Sequence, residues 1–379
     1  MNTKYIVKTV EKKKDHLCIK WNDNFKSKFH FLWLRDNCPT AIHPTANMRV
    51  FNILTVSKKI FPKKYTIENN KLNINWSEGK HTSKFDLKWL RDHCYTEINK
   101  EKYSSPYILW NGKLKNNFNN IKLDHDKIIN NDKYLKKWLE LLHSYGFAIV
   151  KNSPIKKKSC FKILNRISHH RETFFGTPFE VVNIPKPNNT AYTAQALRNH
   201  TDLPYFEYAP GYQFLHCLIN NAKGGLSIAS DGFCVANYLK KNEPELFKIL
   251  INTHVKFKDN DYTQKTTRIF HSPLITLDKN RDFNDIRFSV ATMAAMDCPP
   301  NKMEKFYLAY RKFGELLHSD KFIIKFKLKS GDIFSFNNRR ILHGRTQFDP
   351  NSGHRHLQGY YIDRDEILAR LNYLKKVEV

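Results

Sequence analysis

Three tripeptides in this chain place a carboxylate two residues after a histidine: His170-Arg171-Glu172, His200-Thr201-Asp202 and His318-Ser319-Asp320. On a β-strand the side chains at i and i+2 point to the same side. Such a pair can aim an imidazole nitrogen and a carboxylate oxygen at one cation. Two histidines and one carboxylate on one face of an octahedron are the ligand set of non-haem Fe(II) oxygenases, with three positions left open. The chain carries 17 histidines, so about one chance match is expected and the surroundings must decide.

His170 lies in KILNRISHHRETFF, which reads as helical, and i,i+2 side chains do not face each other on a helix. His318 closes the helical pattern KFYLAYRKFGELLHS, where a histidine complements the helix dipole. Only His200 sits in extended, aromatic-flanked sequence, LRNHTDLPYF. The second histidine is expected on a late strand, and DIFSFNNRRILHGRTQF supplies His343. Further along, HRHLQGYY supplies Arg355. The co-substrate of such oxygenases, 2-oxoglutarate, chelates iron through its 2-oxo acid end and leaves a C5 carboxylate free. A guanidinium fork one strand beyond the distal ligand suits that carboxylate. His200, Asp202, His343 and Arg355 are therefore the candidate catalytic set.

The elements that must hold these residues are legible in outline. Residues 1–100 read as short strands, YIVKTV, HLCIKW, FHFLWL, RVFNILTV and KLNINW, and WLRDNC at 33–38 recurs as WLRDHC at 89–94. Two copies are too few for a solenoid, so the echo is taken as local resemblance inside one small β-rich domain, residues 1–104. A polar and aromatic connector follows. The spacing of Leu135, Trp138, Leu139 and Leu142 predicts a helix over 132–147, ended by Gly146, and FAIV a buried strand. Helices are expected near 235–252 and 302–317, with strands at IIKFKL, IFSF and HLQGYYI. Strands on both sides of helical insertions make residues 105–379 an antiparallel barrel or jelly roll with packed helices, mainly β with α.

Composition bounds the remaining possibilities. The chain is 41% hydrophobic with a net charge of +28, and no apolar run approaches the roughly 18 residues of a membrane span. Basic runs such as Lys12-Lys13-Lys14 and Lys156-Lys157-Lys158 are scattered, and no P-loop, zinc-finger or helix-turn-helix pattern accompanies them. A nucleic-acid partner is not expected, because charge alone speaks to association. A basic nucleic-acid- or anion-binding protein on an oxygenase-like scaffold stands as the non-enzyme alternative. Seven cysteines without a CxxC point to free thiols. The N-terminal MNTKYIVKTVEKKKDH has no apolar signal core, lacks arginine and contains acids, so a cytoplasmic location is expected.

Several stretches resemble the gamma-butyrobetaine and trimethyllysine dioxygenase family, within the taurine-dioxygenase-like Fe(II)/2-oxoglutarate oxygenases. They are FLWLRDNCP, YGFAIV, RETFFG, NNTAYT, HTDLPYFEYAPGYQFLHCL, GDIFSFNNRRILHGR and RHLQGYYIDRDE. The resemblance implies a double-stranded β-helix (jelly-roll) catalytic domain, with His200, Asp202 and His343 as iron ligands and Arg355 on 2-oxoglutarate. It implies that Phe175, Phe179, Tyr192 and Tyr361 cage a trimethylammonium group, which offers no hydrogen bonds and is held by ring faces, with Asn189 helping to orient the substrate. It further implies C–H hydroxylation of a small gamma-butyrobetaine-like substrate, succinate and CO2 as co-products, and a homodimer. The alternative is a related hydroxylase of another small amine or acid. Relatives bind a structural zinc through three cysteines and a histidine. Here only Cys38, His43 and His81 fall near that pattern. A tetrahedral site wants four ligands, so zinc is not expected.

Overall fold

The computed structural model describes residues 5–96, 105–183 and 193–377. The chain divides into two compact units, Met1–Ser104 and Ser105–Val379, both mainly β with helices.

The first unit is built twice from one plan. Val7–Lys12, His16–Trp21 and Lys26–His30 form an antiparallel meander that runs directly into the helix Phe31–Asp36. Pro62–Glu68, Lys71–Trp76 and Thr82–Asp86 repeat the meander and run into the helix Leu87–Asp92. The WLRD echo is thus the end of a duplicated module. FHFLWL, expected as one strand, is the end of a strand followed by a helix, and RVFNILTV holds a single bridge from Arg49 to Ile42 and a 3-10 turn at Ile53–Thr55. Matching positions make matching bonds: the indole of Trp21 donates to Ser27 Oγ at 2.8 Å, and that of Trp76 to Ser83 Oγ at 2.8 Å. Each buried indole N–H finds its partner six or seven residues on, which spares an unsatisfied donor worth about 1–3 kcal/mol. The two helices meet through Trp33 and Trp89, with ring centroids 5.7 Å apart.

The second unit holds two larger sheets. The six-stranded one has the order Lys122–Asp124, Phe147–Lys151, Ile333–Asn337, Tyr212–Asn220, Arg355–Ile362, Phe179–Val182, antiparallel except for its first pair. The four-stranded one has the order Leu197–His200, Ile341–Arg345, Ser227–Asp231, Ile323–Phe326, all antiparallel. Their inner faces share one core. Phe147, Ile149, Cys217, Phe336 and Leu357 come from the larger sheet, and Ala229, Ile324 and Ile341 from the smaller. Alternation sends the next residues outward. Phe214, Tyr360 and Ile362 pack under the helices Asp132–Ser144 and Arg364–Lys376. Each large apolar side chain so buried contributes about 1.5–3 kcal/mol.

Two expectations change here. The single helix near 235–252 is two, Gly232–Asn242 and Pro244–Asn252, because Pro244 lacks an N–H and opens a new helix. The helical reading of KILNRISHHRETFF stops early: the helix is only Cys160–Leu164, and His170 lies beyond it, its ring on Phe161. The helix 300–318 and the strands around Gly331 lie where the periodicity puts them. In the C-terminal helix Arg364–Lys376, Ile367, Leu371 and Leu374 are buried in this unit's own core. All seven cysteines are free. Among the described residues no helix is long and apolar enough to cross a membrane.

Candidate metal and co-substrate site

His200 ends the strand Leu197–His200, and its antiparallel partner residue is His343, in the strand Ile341–Arg345. Cross-strand neighbours share a face, so residues 143 positions apart present their imidazoles together, ring centroids 4.4 Å apart. Asp202 completes the group, but not as part of the strand: it lies in the loop just beyond. Four hydrogen bonds hold that loop. Thr201 N–H donates to the Phe288 carbonyl at 2.9 Å, and the Thr201 hydroxyl accepts from Phe288 N–H at 3.1 Å. Asp202 N–H donates to Asn338 Oδ1 at 2.7 Å while Asn338 Nδ2 returns to the Asp202 carbonyl at 3.0 Å. Leu203 then turns the chain through φ +53°, a left-handed conformation unusual for leucine, next to the ligand it helps to aim.

One oxygen of Asp202 faces the metal position: Oδ1 is 3.1 Å from His200 Nε2 and 3.7 Å from His343 Nε2. The other, Oδ2, accepts a hydrogen bond from the Tyr361 hydroxyl at 2.6 Å. His200 Nδ1 lies 2.9 Å from the Arg198 carbonyl and donates to it, which leaves the Nε2 lone pair for a metal. Burial, and then the neighbouring His200, push His343 down to about 3, so its ring is neutral at physiological pH. Burial alone would raise Asp202, but His343, His200 and Tyr361 hold it below the usual carboxylate range. Burial alone would lower His200, but its contact with Asp202 raises it. Two imidazoles and an ionised carboxylate with donor atoms within 4.8 Å of one another form a ligand set of the iron type. Among the described residues it is the only group of three or more such side chains.

Arg355 opens the strand Arg355–Ile362. It is buried, makes no ion pair with any described residue, and its Nε has no hydrogen-bond partner. Burial, helped by nearby Arg345, lowers it to about 10, so it stays charged. A buried cation without an acid carries an open demand for an anion. The backbone closes over it at Gly225, φ +62°, where a Cβ would stand 3.3 Å from Arg355 Cδ.

By alternation, Arg355, Leu357, Gly359 and Tyr361 share one face of that strand. Tyr361 stacks on Phe179, centroids 5.0 Å apart, and Phe175 stands 6.3 Å from Phe179. All three line one cavity of about 390 Å³ with His200 and Asp202. Asn189 and Tyr192 lie outside the described residues. Phe179 rests directly on Gly359, where a Cβ would come within 2.0 Å of the ring. Gly359→Ala is therefore expected to push Phe179 into the cavity. Overpacking costs about 1–3 kcal/mol, and thermal melts with binding measurements will show a stability loss of that size and at least tenfold weaker substrate binding.

Sequence reasoning missed Asn338, Thr201 and Tyr361 as supports of the ligands. It also missed Arg287, whose guanidinium holds the carbonyls of Pro204, Phe206 and Glu207 in the loop after Asp202. Of these only Asn338 had a signal, its place in the polar stretch Asn337-Asn338-Arg339-Arg340 between the apolar runs IFSF and IL before His343. His318 does end its helix, its Nδ1 on the Gly314 carbonyl, and its Nε2 accepts from Asn199 N–H at 3.1 Å. The trio Cys38, His43 and His81 is not assembled. Cys38 Sγ lies 3.2 Å from His81 Nε2, but His43 Nδ1 is taken by Thr45 and Ala46 of its own turn.

Comparison with known proteins adds the relationships. Residues 111–361 match the family "Taurine catabolism dioxygenase TauD, TfdA family", and residues 8–91 match "Gamma-butyrobetaine hydroxylase-like, N-terminal". The chain is 34% identical to gamma-butyrobetaine dioxygenase of Pseudomonas sp. (strain AK-1) over 363 residues, covering 94% of this chain and 93% of that protein. It is 31% identical to the Homo sapiens gamma-butyrobetaine dioxygenase, over 94% of each chain. It is also 31% identical to the mitochondrial trimethyllysine dioxygenase of Mus musculus, over 94% of this chain and 85% of that one.

Proposed function

This chain belongs to the taurine catabolism dioxygenase TauD, TfdA family, and we propose that it hydroxylates an unactivated C–H of a small trimethylammonium acid of the gamma-butyrobetaine type. The observation that carries the reading is the His200–Asp202–His343 group, whose His200 and Asp202 line the cavity walled by Phe175, Phe179 and Tyr361. The two sheets with a shared core support a double-stranded β-helix as the scaffold.

The donor set suits ferrous iron, held by His200 Nε2, Asp202 Oδ1 and His343. Bound there, iron would supply, with 2-oxoglutarate and oxygen, the oxidation of C–H to C–OH that yields succinate and CO2 as co-products. The chain's own residues do the positioning. Arg355, buried and without an acid partner, takes the C5 carboxylate through its guanidinium fork. The ring faces favour a quaternary ammonium, which needs no hydrogen bond. Arg198, the one Lys or Arg side chain among the described residues lining the cavity, suits the substrate's acid end. Asn338 and Thr201 hold the Asp202 loop still while these groups bind.

The test is succinate release with gamma-butyrobetaine, trimethyllysine, their non-methylated analogues and a gamma-butyrobetaine amide that lacks the acid. Gamma-butyrobetaine is expected to stimulate turnover most, with the amide and the non-methylated compounds at least tenfold weaker. Failure of every trimethylammonium compound to stimulate succinate formation sinks the reading.

A further inference from the structure

Tyr361 has two surfaces and uses both. Its ring stacks on Phe179 at 5.0 Å and walls the cavity. Its hydroxyl donates to Asp202 Oδ2 at 2.6 Å. The carboxylate is therefore divided, with Oδ1 turned toward both histidines and Oδ2 held by the tyrosine. Tyr361 is also buried, 2% exposed, and its strand is paired on both sides, by Tyr212–Asn220 and by Phe179–Val182. The residue cannot shift for one partner without shifting for the other.

Building on the iron-oxygenase reading above, we propose that Tyr361 is a positioning residue that links what fills the aromatic cavity to the geometry of the iron ligand Asp202. The hydroxyl restricts Asp202 to one-oxygen ligation, since an oxygen already accepting a short hydrogen bond is drawn away from a second metal contact. This keeps three positions free for co-substrate and oxygen. A cation seated against the ring fixes its plane, and the hydroxyl passes that constraint to Oδ2. A disordered or vacant cavity leaves the ring, and so the carboxylate, freer to move. Outer partners of ligating carboxylates commonly alter metal affinity or activity by about 10–100-fold, so a link of this kind is measurable.

Tyr361→Phe keeps the ring and removes the hydroxyl. For metal-free protein titrated with Mn(II), the expected result is a Kd raised by about 10-fold or more. For the Fe(II) enzyme, kcat is expected to fall about tenfold with KM within about twofold, and succinate released without hydroxylated product is expected to rise. Phe179→Leu supplies the graded case, because it loosens the stacked ring but spares the hydroxyl bond: KM rises, and Mn(II) affinity falls by clearly less than in Tyr361→Phe. Unchanged Mn(II) affinity and unchanged kcat in Tyr361→Phe would make Tyr361 a wall and nothing more. A raised KM with kcat and Mn(II) affinity intact would assign the hydroxyl to the substrate, and equal Mn(II) weakening in Phe179→Leu would assign the effect to general packing. The last two results overturn the proposal as firmly as the first. Should no trimethylammonium compound be turned over, the functional reading fails, yet the Mn(II) titrations still decide the role of Tyr361.

Discussion

Replacing Asp202 with alanine is expected to lower kcat by at least about 10³-fold, with near-normal folding. The expected size follows from what the carboxylate does. It is the only anionic group of the three, and its Oδ1 faces both histidines, at 3.1 and 3.7 Å. Without it only two imidazoles remain, which cannot complete a facial triad. Tyr361 also loses the acceptor of its hydroxyl. The backbone anchors to Asn338 and Phe288 do not involve the side chain, so the loop keeps its course. Three measurements check this: iron stoichiometry, which should fall well below one per chain; succinate release, which should be near background; and circular dichroism, which should match the parent. An Asp202→Ala protein that retains iron and full turnover would remove the triad from the chemistry altogether.

The largest expected loss of stability lies elsewhere, at Asp231. Asp231 and Arg340 form an ion pair with neither side chain exposed. Asp231 Oδ1 accepts from Arg340 Nε at 3.0 Å and from Phe233 N–H at 3.1 Å, and Oδ2 from Arg340 Nη2 at 2.7 Å and Trp110 N–H at 3.1 Å. The guanidinium also donates to the carbonyls of Ser144 and Ile108. One pair thus fastens the segment before Gly112, the end of the helix Asp132–Ser144 and two strands of the smaller sheet's neighbourhood. Asp231→Ala strands a cation in a place water does not reach, and about 3–5 kcal/mol should be lost. Urea denaturation measures it. The double variant Asp231→Leu/Arg340→Met removes the orphaned charge as well, and is expected to be less destabilised than Asp231→Ala alone. If the double variant is as unstable as the sum of both single ones, the loss belongs to packing and not to an uncompensated charge.

The triad was legible because its signal is short: His200 and Asp202 are two residues apart, and a late strand offered His343. Strand alternation accounts for His200 alone, since Asp202 sits past the strand and is aimed by Asn338 and Thr201. Those anchors join residues 136 and 87 positions apart, and no local pattern announces such a pairing. The Tyr361–Asp202 bond, across 159 positions, is hidden for the same reason. In the first unit FLWLRD and LKWLRD escaped as helices because six residues span less than two turns, too few for a 3.6-residue period to separate from alternation. The repeat itself was visible as an echo, but its meaning needed the Trp–Ser bonds that recur in both copies. Pro244 divides what periodicity alone joins.

The strand Arg355–Ile362 bears on how such a cavity can change over generations. Its odd-numbered residues supply the guanidinium, the glycine floor and the tyrosine, while Tyr360 and Ile362 pack into the core on the opposite face. Losing or gaining a single residue there exchanges the two sets at once, sending the charged and hydroxyl groups into oil and the apolar ones into the pocket. Length variation is closed to this segment. New substrate preferences must arrive by point substitution, one alternate position at a time, with Gly359 as the narrowest gate of all.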